Sequence, residues 1–139
     1  MRVALRWASL RARRTGGRVG LVRVIRKADF QHWAAVGNLM QVEAREEAEQ
    51  LLQEHAAEVS RLYGGMPILY LIEGDPKSAI VDLLEKEKDI RILVLATSTG
   101  RRGPGPLITH LTKKALGQLR IPVTIIPGGL TDEQIDTLV

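Results

Sequence analysis

The sequence predicts an α/β fold in which a parallel sheet lies between layers of helices. Three observations carry that expectation. Short β-rich apolar runs alternate with longer amphipathic stretches along the chain, the pattern of parallel strands joined by crossover helices. The runs are apolar at consecutive positions, as in Ile92 to Ala96, which suits strands covered on both faces. Glycine and proline punctuate the boundaries, at Gly16-Gly17, Gly64-Gly65, Asp75-Pro76 and Pro127-Gly128-Gly129.

The first element is a helix. Val3, Trp7 and Leu10 fall at i, i+4 and i+7 on one stripe, with Arg2, Arg6 and Arg13 off it. The opening is Arg-rich and acid-free, a composition shared with transit peptides. A glycine pair and a strand follow at once, and these favour a plain surface helix. Val19 to Ile25 reads as a strand. Residues 28–40 bridge onward, with Phe30, Trp33, Val36 and Met40 at helical spacing interrupted by Gly37. Gln41 to Tyr63 is an amphipathic helix, closed by Gly64-Gly65.

Met66 to Ile72 is the second strand, and Glu73-Gly74-Asp75-Pro76 ends it. Asp75 suits a helix N-cap with Pro76 at the first helical position. The helix that follows buries Ile80, Val81, Leu83 and Leu84 and runs to about Lys88. Ile90 to Ala96 is the third strand. A glycine-rich loop leads to a helix over Leu107 to Gln118, then to a last strand, Val123 to Ile126. In the tail, Thr131 and Gln134 have capping-box spacing.

Composition narrows the classes. At 139 residues the chain is expected to be one domain, with 130–139 as its tail. It is 45% apolar and 26% charged, as soluble globular proteins are, and it has only five aromatics, so Leu, Ile, Val and Ala must build the core. The absence of cysteine excludes disulfides and thiolate metal sites, and it suits a cytoplasmic protein. No apolar run approaches the length of a membrane span, so no membrane partner is expected. The net charge of +4 hides a segregation. The first 27 residues hold nine basic groups and no acid, against 11 basic and 16 acidic groups in the rest. Such a pole suits nucleic acid, yet only Trp7 is interleaved with the arginines, so a nucleic-acid partner is not expected.

The stretch LATSTGRRGPGPLITH, residues 95–110, has the makings of a phosphate cradle. Three hydroxyl residues leave a strand, then three glycines and two arginines lead into a helix. The competing interpretation is a Gly/Pro turn with solvated arginines. No other constellation carries chemistry. His32, His55 and His110 lack ligand spacing, and Asp29 with His32 is a bare pair. No serine sits in a nucleophile elbow. Glu73 and Asp75 read as a turn and a cap.

The order of elements, with EGDP before a helix, ILVLAT before the glycine-rich loop and IPVTIIPG at the end, resembles the universal stress protein family. The resemblance runs from ALRWASLRARRTGGRVGLVRVI through IPVTIIPG. It implies a doubly wound, Rossmann-like parallel sheet of the adenine nucleotide alpha hydrolase-like type, three layers deep, with strand order 3-2-1-4-5. It further implies homodimers joined through the last strand, here Val123, Thr124, Ile125 and Ile126. The nucleotide or anion contacts it suggests are Val24, Ala96, Thr97, Ser98, Gly100, Arg101, Gly103, Thr109 and His110. ATP or another adenine nucleotide is the ligand it would bring.

Two departures from the family pattern stand out. Family members open with a strand that ends in an adenine-contacting aspartate, and this chain begins directly on the helix that follows it. In a 3-2-1-4-5 sheet that strand is central. Losing about five buried apolar side chains would cost on the order of 10 kcal/mol, comparable to the stability of a whole domain. A shortened form is therefore expected, or a gap that something else fills, such as a partner's strand. The second departure is in the loop. ATP-binding members carry Gly-x2-Gly-x9-Gly-[Ser/Thr], and here only Gly100 and Gly103 match. Counting nine residues on from Gly103 lands on Lys113-Lys114, and counting back from Ile121-Pro122 lands on Thr109-His110; either way the final Gly-Ser is absent, and Pro104 and Pro106 each remove a backbone donor. A non-enzymatic stress-response or regulatory dimer with ATP binding lost or altered is the leading expectation. A nucleotide-binding switch or slow ATPase using residues 97–110 is the alternative, and a basic nucleic-acid-binding module is the third.

Overall fold

A computed structural model describes residues 2–26, 37–100 and 103–139. Helix α1 (Arg2–Thr15) is followed by strand β1 (Gly20–Ile25), helix α2 (Gly37–Tyr63) and strand β2 (Ile68–Glu73). Helix α3 (Pro76–Lys86), strand β3 (Leu93–Ala96), helix α4 (Pro106–His110), strand β4 (Val123–Ile126) and helix α5 (Asp132–Leu138) complete the chain. Residues 28–36 of the expected bridging stretch lie outside the described residues, and its last residues, from Gly37 on, belong to α2.

Local chemistry accounts for the boundaries. Pro67 cannot donate to a ladder, so β2 starts at Ile68, whose N–H donates to Val19 O at 2.9 Å. Asp75 caps α3 by accepting from Lys77 N, with Pro76 in the first turn. Strand β3 is shorter than the expected 90–96. The guanidinium of Arg120 donates to the carbonyls of Leu84 at 2.7 Å, Glu87 at 2.7 Å and Ile90 at 3.3 Å. These bonds satisfy the open carbonyls at the end of α3 and hold residues 84–90 as a helix exit. The expected helix over 107–118 is also broken. A single α turn passes into a π turn (Leu111–Ala115) and a 3₁₀ turn (Leu116–Gln118). Thr112 Oγ1 donates back to Ile108 O at 2.8 Å at the junction, a side-chain bond that bends helices.

The strands form two parallel pairs, β1 with β2 and β3 with β4, and no ladder joins the pairs among the described residues. Three apolar clusters hold the layers together. On one face, Leu5 and Ala12 of α1 pack with Leu52, Ala56 and Val59 of α2 over Leu21. On the same face, Val3, Trp7 and Leu10 of α1 pack with Ile126 and Ile135 over Val94 and Ala96. The opposite face carries Ile80 and Leu84 of α3 with Ile121, against Val22 and Val24 of β1 and Leu93 of β3. Both faces of each pair are therefore covered, which explains the unbroken apolar strands.

The tail is structural. The capping box at Thr131 and Gln134 forms in both directions, and Ile135 is fully buried. Helix α5 is clamped to α1 by ion pairs. Arg6 makes two bonds to Asp136, at 2.7 and 2.8 Å, and Arg2 bonds Asp132 at 2.7 Å. Arg14 also donates to the carbonyl of Val139. The hydrogen bonds from Arg6 hold the Asp136 carboxyl below the usual carboxylate range, and those to Asp136 raise the Arg6 guanidinium.

A carboxyl whose pKa is lowered on folding stabilises the native state above its ordinary range, and that contribution disappears as pH falls through the lowered value. Wild type should therefore exceed Asp136→Asn in stability at neutral pH. The difference should begin to narrow below about pH 4 and be lost as pH falls through the lowered value. Urea unfolding of both proteins from neutral pH downward checks it, and a gap that does not narrow at all below about pH 4 would contradict the assignment.

Candidate nucleotide-loop site

In doubly wound sheets a ligand sits at the C-terminal ends of the strands, beside the point where the strand order reverses. Here Val24 lies near the end of β1, Ala96 ends β3, and the glycine-rich loop leaves from Ala96. The loop is anchored at its start. Thr97 N–H donates to Ile126 O at 2.9 Å, and Gly128 N–H donates to Thr97 Oγ1 at 2.9 Å. Gly128 can hold this place only as glycine, because a Cβ there would lie 2.2 Å from Thr97 O.

Two further hydroxyls of the stretch also bond within the chain. Ser98 Oγ donates to Gly103 O at 2.7 Å. Gly103 and Gly105 have φ of +76° and +101°, left-handed values that suit glycine. Gly105 then caps α4, with Pro106 in its first turn. Thr109 N–H and Thr109 Oγ1 both donate to Gly105 O, at 3.1 and 2.9 Å. Thr109 and His110 thus lie inside the helical turn, where the backbone N–H of Thr109 is already committed. Both residues are half-buried. Arg101 and Arg102 lie outside the described residues.

A cleft of about 660 Å³ opens beside the loop. It gathers Thr97, Ser98 and Gly100 of the expected set, with Arg2 and Gly128. Val24, Gly103, Thr109 and His110 do not line it. Asp132 and Glu133 do, and Arg2 is already paired with Asp132. The cleft's charge is mixed, unlike a cradle built for polyphosphate. Among the described residues no cluster of three His, Cys, Asp or Glu side chains could hold a metal ion. Asp29 and His32 lie outside the described residues, and His55 is half-buried on α2.

Gly128, Arg120 and the α5 carboxylates were not anticipated. One signal for the last was present: Arg2 and Arg6 are four apart, as are Asp132 and Asp136, so two matching charge ladders can dock.

Fold and loop together define a class, the Rossmann-like, doubly wound α/β domains with a glycine-rich loop at the strand ends. Residues 1–127 match the model of the universal stress protein family, and the chain belongs to that family. Membership supports a place in the stress response. Helix α5 falls beyond the matched range. Among solved structures, the crystal structure of a hypothetical protein, PH0823, is similar, with 22% identity and a TM-score of 0.64. The match covers 93% of this chain and 90% of that one, and it shows the same fold. No curated protein matches the chain. Among the described residues no helix is long and apolar enough to cross a membrane.

Proposed function

We propose that this chain is a non-enzymatic regulatory member of the universal stress protein family, acting in the cytoplasm as a homodimer with its ATP cradle altered. One observation carries the loss of the cradle. Thr97, Ser98 and Thr109, the hydroxyl residues that would meet a phosphate, all bond to the chain's own backbone. Ser98 and Thr109 spend their hydroxyl hydrogens in these bonds, so donating to a phosphate would require breaking them, each worth about 1 kcal/mol net. Mass spectrometry of protein purified without added nucleotide tests this. Nucleotide-free protein is expected, and near-stoichiometric ATP or AMP would overturn the proposal in favour of a nucleotide-binding switch.

Dimerisation follows from the outer edge of β4. Leu93 N–H donates to Pro122 O and Thr97 N–H to Ile126 O, so the ladder turns the backbone groups of Val123 and Ile125 outward. The side chain of Ile125 is exposed, whereas that of Ile126 is buried against α1 and α5. The interface would therefore use Val123, Thr124 and Ile125 side chains, with Ile126 supporting from within. An unpaired apolar edge invites a two-fold partner. Light scattering at micromolar concentration should give a dimer, and Ile125→Lys should give a folded monomer. A wild-type monomer that persists at millimolar concentration would rule out the interface.

A further inference from the structure

Strand β2 has a property that neither the loop nor the β4 edge uses. Its run Ile68-Leu69-Tyr70-Leu71-Ile72 reads the same in both directions about Tyr70. Among the described residues only β1 pairs with β2, so the other edge of the strand is open. Natural edges are blunted by charge, proline or a bulge. The register with β1 is unbroken, and neither charge nor proline falls inside the run, which Pro67 and Glu73 flank.

The ladder to β1 fixes which groups face outward. Ile68 N–H donates to Val19 O and Gly74 N–H to Ile25 O, both at 2.9 Å. The even-numbered residues therefore bond to β1, and alternation turns the N–H and C=O of Leu69 and Leu71 outward. The side chains of these leucines pack against the cluster that α1 and α2 form. Those of Ile68, Tyr70 and Ile72 alternate to the other face. All five residues are partly exposed. Helix α2 packs on β1 more than on β2. A groove of about 480 Å³ is left beside Leu69 and Leu71, walled by Leu52, Gln50 and Gln53 of α2.

We propose that this edge is a second self-association surface, on which two copies of the chain pair their β2 strands antiparallel about a two-fold axis at Tyr70. A two-fold contact needs a surface complementary to itself, and the palindrome supplies one. Leu69 then stands opposite Leu71 of the partner subunit, and Leu71 opposite Leu69 of the partner subunit. These are the residues whose backbone groups face outward, so each couple exchanges two N–H···O bonds. Tyr70 meets its own copy between them, in the non-bonded position where side chains come closest. A slip of one residue would set outward amides against inward ones, and a slip of two would set Leu69 against Glu73 of the partner subunit. Pro67 has no N–H to give, which ends the ladder. The grooves of the two copies adjoin, and the exposed flanks of the leucines cover one another. The ladder is short and the contact weak, of roughly millimolar affinity. It uses a different strand from β4 and does not depend on pairing there.

The test uses the Ile125→Lys chain, whose β4 edge carries a charge. Sedimentation should show a monomer at micromolar concentration and a dimer near about 1 mM. Adding either Tyr70→Lys or Tyr70→Glu sets like charges opposite each other at the axis and should abolish that dimer. An equimolar mixture of the two doubly substituted proteins should restore it, since opposite charges then meet. With Tyr70 intact, hydrogen exchange should slow with concentration at Leu69 and Leu71 but not at Val123. Circular dichroism checks that each variant folds, and the exchange measurement decides by itself where one does not. Four results would overturn the proposal. They are a monomer that persists at about 1 mM, a dimer that survives Tyr70→Lys, folded variants whose mixture stays monomeric, and concentration-dependent protection that bypasses Leu69 and Leu71.

Discussion

Replacing Gly128 with alanine is expected to lower stability by roughly 3 kcal/mol. A Cβ at this position would sit 2.2 Å from Thr97 O and 3.2 Å from the Thr99 side chain. The first obstacle is backbone, so no flexible side chain can move aside. Overpacking of this kind costs about 1–3 kcal/mol. The shift that relieves it also pulls Gly128 N–H off Thr97 Oγ1, adding about 1 kcal/mol. In a domain of this size that total corresponds to a fall in melting temperature on the order of 10 °C. Gly129→Ala is the control, because nothing lies within 4 Å of its Cβ position, and it should be close to neutral. Thermal unfolding followed by circular dichroism compares the two. Equal effects would mean that the close approach of the 97 and 128 backbones does not hold the strand ends together.

The consequence reaches the site. Thr97 begins the glycine-rich loop, and its position is set by Ile126 and Gly128 at the end of β4. The loop is placed by the strand after it as much as by the strand before it. That dependence is hard to see in sequence, because Gly128 reads simply as part of a Pro-Gly-Gly breaker. What was legible depended on local signals. Asp75-Pro76 and the Thr131/Gln134 pair have caps that act within three residues, and both formed as the spacing implied. The strands were legible because two-sided cover leaves an unbroken apolar run.

Features that depend on distant partners were misjudged or missed. The start of β3 is set by Arg120, some thirty residues on, whose guanidinium holds the exit of α3. The helix after the loop reads as continuous from its periodicity, yet the Thr112 hydroxyl competes for the Ile108 carbonyl and the turn widens. The tail reads as bare of chemistry because its partners, Arg2 and Arg6, are 130 residues away. In the site, Thr97, Ser98 and Thr109 were legible as hydroxyls near a cradle. That all three bond inward is a matter of backbone geometry, and only the fold reveals it.

The proposed alteration of the loop leads to the second large effect. The double substitution Thr109→Gly and His110→Ser should raise Mg-ATP affinity by about tenfold. The family pattern sets a glycine where phosphate packs against bare backbone and a small hydroxyl beside it, so removing one Cβ and adding one hydroxyl can contribute about 1 kcal/mol each, more against phosphate charge. The structure adds an opposing cost. Thr109 N–H is bonded to Gly105 O at 3.1 Å, so the first turn of α4 must open before that donor can reach a ligand. Glycine makes opening easier, because it weakens a helix by about 1 kcal/mol relative to alanine, yet the bond must still be given up. The net is nearer tenfold than hundredfold. Calorimetry with Mg-ATP on both proteins measures it. A wild-type chain that already binds at low micromolar would show that the cradle was never lost, and that the inward bonds of Ser98 and Thr109 yield readily to phosphate. If neither protein binds, the loop is not the deciding feature.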